Sequence, residues 1–456
     1  MKRSLLFTFF VCSQLVACTQ PDGPAPPDEI DFLDKLRAIP GVTVQEGPTT
    51  VADYRYFVLE FDQPGDHDAP DASPHFQQRV MLLHRNDDAP MVLGTSGYFA
   101  NTSKPRLYEP AQLLEANQLW VEQRFFAPSR PDPADWSWLT IKQAATDHHR
   151  IVEALKPLYT GKWISSGASK GGMTSVYHRR FFPNDVEGTV AYVAPHSVGT
   201  SDPRYLDFVA NLGDADCRKK LADFQREILI RRPAMMASLA TLSGAHGYTF
   251  DLLGEDQALE TAAVEFAFTF WQYFDASRCP NIPTAASTDT EVWNFLSEIN
   301  PPIYWSDAQV LGFEPYYWQA SVELGYPALE ESHLSDLLKY PKFDVPTSFV
   351  LPGTGKTPTF KPEAMQDVTQ WLDTEGLGIL FVYGQNDPYS AAAFDIGNAK
   401  DTFEFFAPGK NHFAKIVDLV EADRLVAFDA LERWSGKTPV IPAGQPLEVR
   451  ETFRER

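Results

Sequence analysis

Positive charge is scarce in this sequence. Its 456 residues include 39 Lys and Arg against 61 Asp and Glu, which gives a formal net charge of −22. A surface this acidic repels nucleic-acid phosphates and anionic lipid headgroups. We therefore expect no nucleic-acid partner. The acidity would suit amine-bearing substrates, although solubility alone is enough to explain it.

Cysteine is equally sparse, with four in the whole chain. Their positions show no metal-ligand spacing, so we expect no metal site and no cofactor. Cys12 and Cys18 belong to the N-terminal segment, which leaves Cys217 and Cys279 in the folded part. These two either pair or stay as buried thiols. We predict a disulfide between them, in an oxidising compartment.

Long apolar runs are also lacking, and the clearest one stands at the N-terminus. Residues 4–17 follow Lys2 and Arg3 and are too short to span a bilayer as a permanent helix. The stretch ends in Leu-Val-Ala-Cys at residues 15–18, a pattern typical of a bacterial lipoprotein box. We expect residues 1–17 to be a signal peptide and Cys18 to carry lipid, with an ordinary cleaved signal as the alternative.

The lipid on Cys18 would be the protein's means of membrane attachment. Residues 18–30 are rich in Pro and polar residues and predict an extended tether. Because Thr19 rather than Asp follows the cysteine, we expect a cell-envelope lipoprotein at the outer membrane of a Gram-negative bacterium. A secreted protein is the alternative.

Strand and helix patterns alternate along much of the chain. We predict strands at 54–61, 78–84, 90–94, 118–121, 161–166 and 188–194, and a helix from about 140 to 158. Helical patterns then dominate from about 200 to 340, before strands near 347, at 378–383 and at 402–406. This order predicts an α/β-hydrolase fold whose core, residues 31–200 and 346–456, is interrupted by a helical cap at 201–345.

The sequence from Gly167 to Gly171 reads Gly-Ala-Ser-Lys-Gly and matches the G-x-S-x-G nucleophile elbow. A predicted strand precedes it and a helical pattern follows, as the elbow requires. The tight turn would lift the Ser169 hydroxyl above the sheet. A purely structural glycine-rich turn is the alternative, but the strand and helix on either side favour a nucleophile.

A serine nucleophile needs a base and an acid, which follow it in this fold in the order Ser, acid, His. His412 is the histidine that follows a late strand, in the loop Pro-Gly-Lys-Asn-His-Phe. Asp387 lies in the turn after the preceding strand, and Asp395 is its nearest competitor. We predict a Ser169–His412–Asp387 triad. The backbone N–H of Lys170 and that of Gly97 or Tyr98 would form the oxyanion hole.

Several stretches resemble a known family. VEQRFF, LTIKQAATDHHRI, GASKGGMTSVYHRRFFPNDVEGTVAYVAP, GQNDPYS and GKNHFAKI are similar to the secreted tripeptidyl/prolyl aminopeptidases of actinomycetes, the PS-ten peptidase type. A more distant similarity links the chain to the lysosomal prolyl carboxypeptidase and dipeptidyl-peptidase family. The resemblance implies cleavage of short peptides from free N-termini, often near proline, and it places Ser169, Asp387 and His412 on the triad positions. Those relatives are secreted free, whereas this chain carries a lipoprotein box.

The expected function is therefore a serine aminopeptidase acting on short peptides. A carboxylesterase or lipase on the same scaffold is one alternative, and an inactive peptide-binding lipoprotein is another. An aminopeptidase needs a carboxylate for the substrate ammonium. Glu122, at the end of a strand, is the first candidate, unless it pairs with Arg124 or a backbone group. Glu314 and Glu323 are next.

Aromatic residues are concentrated in one part of the predicted cap. They could stack on a proline ring, or they could simply pack the interior of the cap. They are Tyr304, Trp305, Phe313, Tyr316, Tyr317 and Trp318.

Overall fold

The computed structural model describes residues 30–342, 345–348, 357–444 and 446–449. The predicted signal peptide, Cys18 and nearly all of the predicted tether lie outside the described residues. Among the residues described, no helix is both long and apolar enough to cross a membrane.

In the described part of the chain, one sheet of nine strands forms the centre. The strands are β1 Val42–Gly47, β2 Arg55–Pro64, β3 His75–His84, β4 Met91–Thr95, β5 Asn117–Val121, β6 Trp163–Ala168, β7 Gly188–Tyr192, β8 Ile379–Gly384 and β9 Phe403–Ala407.

The strand order is β1-β2-β3-β5-β4-β6-β7-β8-β9. The first three strands and β5 pair antiparallel, and β5 through β9 pair parallel. Every residue of β4 through β8 is buried, as expected for parallel strands covered on both faces. This is the α/β-hydrolase fold that the sequence predicts, with one unpredicted strand, β1, at the edge.

Fourteen α-helices are described. They are α1 Phe32–Arg37, α2 Glu109–Leu114, α3 Ile141–Leu155, α4 Lys170–Phe181, α5 Arg204–Ala210, α6 Ala215–Ile230, α7 Arg232–His246, α8 Glu255–Val264, α9 Phe266–Tyr273, α10 Asp289–Ile299, α11 Asp307–Gln319, α12 Val345–Ser348, α13 Glu363–Glu375 and α14 Glu421–Ser435.

Helices pack on both faces of the sheet. Val92, Ile164 and Leu380 point to the face covered by α2 and α14. Their neighbours along the strands, such as Leu93 and Phe381, point to the face covered by α1, α3, α4 and α13. The alternation follows from the two-residue period of a strand.

The helices α5 to α12 form the cap, which enters the chain between β7 and β8. The cap has its own apolar core, including Phe224, Phe266 and Trp271. A disulfide joins Cys217 in α6 to Cys279, with their Cα atoms 5.3 Å apart, as predicted.

One sequence expectation in this region differs from the structure. The strand predicted near 347 is not found at residues 345–348, which form α12, and residues 349–356 lie outside the described part. Within the predicted helical region, residues 255–274 show a continuous helical pattern, which the structure divides at Glu265 into α8 and α9.

Candidate active site

Ser169 occupies the tight turn between β6 and α4. Its backbone has φ 57° and ψ −128°, a conformation that non-glycine residues rarely adopt. The turn is held because the Ser169 N–H donates a 2.8 Å hydrogen bond to the carbonyl of Tyr192 on β7. A strained residue of this kind persists only where the surrounding structure fixes it, which is expected of a nucleophile elbow.

The two glycines of the elbow have a steric role. A Cβ on Gly167 would collide with the carbonyl oxygen of Gly171, and a Cβ on Gly171 would collide with that of Thr95 at the end of β4. The helix α4 therefore begins in direct contact with β4. This contact places Ser169 beside the loop that follows β4.

His412 and Asp387 lie on the loops after β9 and β8 and are hydrogen-bonded to each other. His412 Nδ1 is 2.6 Å from Asp387 Oδ2, and both side chains are fully buried. The other carboxylate oxygen of Asp387 accepts from the Tyr389 N–H at 3.1 Å. These contacts fix the orientation of the imidazole, as a triad acid must.

His412 lies behind tyrosine rings that line the cavity into which Ser169 opens. The rings of Tyr389 and Tyr273 are 5.0 and 6.3 Å from the His412 ring. Both tyrosines, and Phe413, line the same cavity as Ser169. The structure thus brings the three predicted triad residues to one place at the carboxyl ends of β6, β8 and β9.

The loop after β4 carries the predicted second oxyanion donor. The Tyr98 N–H donates to Ser96 Oγ at 3.2 Å, so Gly97 is the stronger of the two candidates. Gly97, with φ 73°, lies so close to the start of α4 that a Cβ would be 2.5 Å from the nitrogen of Gly171. Its peptide group therefore lies beside that of Lys170, the first predicted donor.

The side chain of Lys170 supports this loop, a role that the sequence analysis missed. Its Nζ donates a 2.6 Å hydrogen bond to the carbonyl of Gly97 and lies 5.6 Å from the ring centroids of Tyr98 and Phe126. Burial lowers the pKa of Lys170 to about 7, while the charge of Glu323 acts in the opposite direction. The side chain of Lys170 thus supports the loop, and its main chain lies next to Ser169.

Ser169 opens into a cavity of about 290 Å³ roofed by the cap. Five of the six cap aromatics named above line it. They are Tyr304, Trp305, Phe313, Tyr316 and Tyr317.

Trp318 does not line the cavity. It is buried and packs against Trp136, with ring centroids 5.8 Å apart. Trp305 both lines the cavity and belongs to the cap core, and Tyr304 and Tyr317 pack against that core, whereas Trp318 serves interior packing without lining the cavity.

Glu122 is not placed where the sequence analysis put it. Its carboxylate is fully buried inside the core, where it accepts hydrogen bonds from Arg79 at 2.5 Å, the Ala100 N–H at 2.9 Å and Ser129 Oγ at 2.7 Å. Burial raises the pKa of Glu122, and Arg79 opposes that rise. The partner is Arg79 rather than Arg124, and Glu122 is not among the cavity residues. Its place in the structure is that of an internal support for the loop.

The other two acidic candidates are also absent from the cavity lining. Glu314 is buried in α11. Glu323 is buried beneath Lys170 and accepts a 3.0 Å hydrogen bond from the Ile141 N–H at the start of α3; burial raises its pKa to about 7.

The acidic residue that does line the cavity is Glu265, which the sequence analysis missed. Burial raises its pKa to about 8, and Tyr326 Oη lies 3.4 Å from one carboxylate oxygen. Its position at the break between α8 and α9 gave no signal in the sequence, because the surrounding helical pattern is continuous.

Among the described residues, one cluster has metal-ligand composition. The ligand atoms of His149, Glu153 and Asp185 lie within 4.8 Å of one another. Asp185 Oδ2 is 2.9 Å from both His149 Nδ1 and His178 Nε2, which makes a hydrogen-bonded group behind α4. None of these residues lines the cavity at Ser169.

Comparisons with known proteins identify sequence relatives and solved structures similar to this chain. Over 418 residues, 90% of this chain and 86% of the relative, the chain is 42% identical to the prolyl tri/tetrapeptidyl aminopeptidase of Streptomyces mobaraensis. Among solved structures, the proline iminopeptidase of Mycobacterium smegmatis is 14% identical, with a TM-score of 0.36 over 86% of this chain and 98% of the other. VinJ is 13% identical, with a TM-score of 0.37 over 86% and 99%.

The family match extends over almost the entire chain, including the core and the cap. Residues 25–453 match the family described as PS-10 peptidase S37. The chain therefore belongs to the PS-10 peptidase S37 family of serine peptidases.

Proposed function

We propose that the protein is a serine aminopeptidase that releases short peptides, including proline-containing ones, from the free N-termini of peptide chains. The observation that carries this proposal is the position of Ser169 at the floor of a cavity that the cap covers. A roofed cavity admits a flexible chain end and excludes the middle of a folded protein.

The cap is attached to the catalytic loop itself. The Asn411 side chain donates a 3.1 Å hydrogen bond to the carbonyl of Phe274, at the end of α9. The backbone N–H of His412 donates to the carbonyl of Gln272 at 3.1 Å. A substrate must therefore enter between the cap and the sheet. The cap then limits the number of residues that can precede the scissile bond.

The first chemical step is acyl transfer to Ser169. His412 takes the proton of the Ser169 hydroxyl as the oxygen attacks the peptide carbonyl, and Asp387 stabilises the resulting imidazolium. The N–H groups of Lys170 and Gly97 stabilise the developing oxyanion. His412 then returns the proton to the leaving amine, so the C-terminal part of the peptide departs and the N-terminal part stays as an ester on Ser169.

The second step is hydrolysis of that ester. A water molecule gives its proton to His412 and attacks the same carbonyl, and the oxyanion forms again between the same donors. The bond between Ser169 Oγ and the carbonyl carbon then breaks, His412 returns its proton to Oγ, and the short N-terminal peptide leaves with a free carboxylate.

Proline is a substrate residue that the cavity walls suit. The Streptomyces relative is named for prolyl tri- and tetrapeptidyl release. In this chain, Tyr98, Phe313 and Tyr316 form a cluster of rings, with Tyr98 5.9 Å from Phe313 and 5.8 Å from Tyr316. A flat, apolar pyrrolidine ring stacks well on aromatic faces, so we place the proline at the bond that is cut.

The test is mass spectrometry of the products from a set of peptides offered with free and with acetylated N-termini. An aminopeptidase releases short N-terminal fragments from the free peptides and leaves the acetylated ones intact. Cleavage of p-nitrophenyl acyl esters without any cleavage of peptide amides would instead identify a carboxylesterase.

We also propose that the mature protein is a lipoprotein of the cell envelope, attached by lipid on Cys18. The support is the Leu-Val-Ala-Cys sequence directly after an apolar stretch with a positive start. Cys18→Ser should stall processing or move the protein from the membrane fraction to the soluble fraction. Membrane fractionation identical to that of the unaltered protein would contradict the lipid anchor.

A further inference from the structure

The cavity has a strongly uneven distribution of charge. Of the described residues that line it, Glu265 is the one carboxylate and Lys170 the one basic side chain. The Lys170 ammonium is directed to the carbonyl of Gly97, below the oxyanion loop. The part of the cavity near Glu265 is therefore an acidic site without a basic side chain in its lining.

The surroundings of Glu265 are tyrosine rings from the cap. Tyr326 Oη lies 3.4 Å from its carboxylate, and Tyr316 and Tyr317 line the same part of the cavity. Burial, followed by the Glu265 charge, raises the pKa of Tyr317 and Tyr326, so both stay neutral. A buried carboxylate among neutral groups is costly unless a cation pairs with it. Tyrosine faces also attract cations.

A series of neighbouring tyrosine rings runs from Glu265 to the oxyanion loop. The ring centroids of Tyr326 and Tyr316 are 6.4 Å apart, and those of Tyr316 and Tyr98 are 5.8 Å apart. Tyr98 belongs to the oxyanion loop. Because an extended chain advances about 3.3–3.6 Å per residue, a peptide lying along these three rings places about three residues between its ammonium and the acyl carbon.

We propose that Glu265 binds the protonated N-terminus of the peptide substrate, and that the fixed distance from Glu265 to Ser169 sets the number of residues released. The proposal rests on the aminopeptidase function proposed above and names the group that makes the enzyme specific for a free N-terminus. Glu265 acts in binding, and the triad performs the chemistry unchanged.

The experiment uses Glu265→Gln, which keeps the size of the side chain and removes its charge. The substrates are aminomethylcoumarin amides of Pro, Ala-Pro, Ala-Ala-Pro and Ala-Ala-Ala-Pro, each with a free or an acetylated N-terminus. Hydrolysis of p-nitrophenyl acetate reports on the triad. Glu314→Gln is the matched control, because Glu314 is a buried glutamate of the cap that does not line the cavity.

We expect the unaltered enzyme to prefer free amines, with kcat/KM highest at about three residues. In Glu265→Gln, kcat/KM for the free tripeptide amide should fall by roughly a hundredfold. The preference for a free amine and for this length should be lost, while ester hydrolysis stays within about twofold. Glu314→Gln should resemble the unaltered enzyme on every substrate.

Two outcomes would overturn different claims. If the unaltered enzyme cleaves acetylated and free peptides equally, the aminopeptidase function itself is wrong. If it prefers free amines and Glu265→Gln keeps that preference, the function stands and the role of Glu265 is wrong. Should Glu265→Gln fail to fold, Glu265→Asp takes its place: the free-amine preference should persist with KM raised several-fold, and an unchanged KM would contradict the proposal.

Discussion

The backbone N–H of His412 donates a 3.1 Å hydrogen bond to the carbonyl of Gln272, the residue before the end of the cap helix α9. His412 is thus held by the cap as well as by Asp387. The same helix begins directly after Glu265, so one short cap segment contacts the triad and presents the cavity's carboxylate. Cap position and catalytic geometry are therefore coupled through a few residues.

The cap disulfide should matter for this coupling. Cys217 and Cys279 are 62 residues apart, and Cys279 lies six residues beyond the end of α9. Replacing both by Ala should lower the free energy of unfolding by about 4 kcal/mol in the chain-entropy model, and KM should rise as the cap loosens. Chemical unfolding with and without reductant measures the first effect. Two free thiols found by alkylation of the denatured, unreduced protein would contradict the bond.

Ser169→Ala should reduce turnover by at least about a thousandfold on peptides and esters alike. Alanine at the elbow must adopt the same backbone conformation, with φ 57°. The hydrogen bond that holds this turn joins the backbone N–H of residue 169 to the Tyr192 carbonyl, so the substitution keeps it and the fold should be retained. Circular dichroism checks the fold and a fluorophosphonate probe checks the nucleophile. Near-normal activity in a protease-free preparation of the variant would remove Ser169 from the mechanism.

Lys170→Met tests whether the lysine side chain positions the oxyanion loop. Without the Nζ hydrogen bond to the Gly97 carbonyl, the loop is less well fixed and kcat should fall by roughly ten- to a hundredfold, less than the loss of a whole oxyanion donor. KM should change little, because Lys170 Nζ holds the loop rather than the substrate. A fall in kcat/KM that comes wholly from KM would point to a binding role instead. Lys142→Met, at an exposed ion pair with Asp68, is the control.

Arg124 and Asp147 form a fully buried ion pair that fixes α3 to the chain after β5. Nε and Nη2 of Arg124 are 2.7 and 2.8 Å from the two Asp147 oxygens. Arg124→Met leaves a buried carboxylate without this partner and should cost about 3–5 kcal/mol in stability. Arg180→Met, which breaks a partly exposed pair with Asp367, should cost at most about 1 kcal/mol. Equal losses in the two variants would mean that burial does not set the cost.

Much of the core could be predicted because its strands are short apolar runs. The described strands β2 through β9 all overlap predicted ones. Burial on both faces gives β4 through β8 a continuous apolar signal. The edge strand β1 gave no such signal, because its side chains are exposed or only partly buried. The Ser169–His412–Asp387 triad could be predicted because its order along the chain is fixed by the fold and each member follows a strand.

The substrate-binding residues could not be found in this way. Glu122 ends a strand as expected, but Arg79 on the neighbouring antiparallel β3 is 43 residues away in the sequence and neutralises it. Glu265 interrupts a helical pattern that reads as continuous, and its position depends on how α8 and α9 pack in the cap. Such long-range contacts leave no local pattern, and the acidic residue that faces the cavity had to be seen in three dimensions.

The pH dependence of peptide cleavage should show the titration of Glu265. Burial raises the pKa of Glu265 to about 8, because it favours the protonated form over the charged one. The α-amino group of a peptide has a pKa of about 7.7–8.0. The groups that face the carboxylate, Tyr316, Tyr317 and Tyr326, stay neutral in this range because burial raises the pKa of each.

When the ammonium is bound to the Glu265 carboxylate, the two groups share one titratable proton. When they are apart, the amine and the carboxyl both carry a proton below pH 8, and neither carries one above it. Binding therefore weakens on both sides, and kcat/KM for free-amine peptides should peak near pH 8, falling on the acid side by up to about tenfold per pH unit. Profiles for Ala-Ala-Pro-aminomethylcoumarin, measured with the unaltered enzyme and with Glu265→Gln, check this. The acid limb between pH 8 and 6.5 should vanish in the variant, and the limb that remains belongs to the triad. If the two profiles have the same shape, the limb does not come from Glu265.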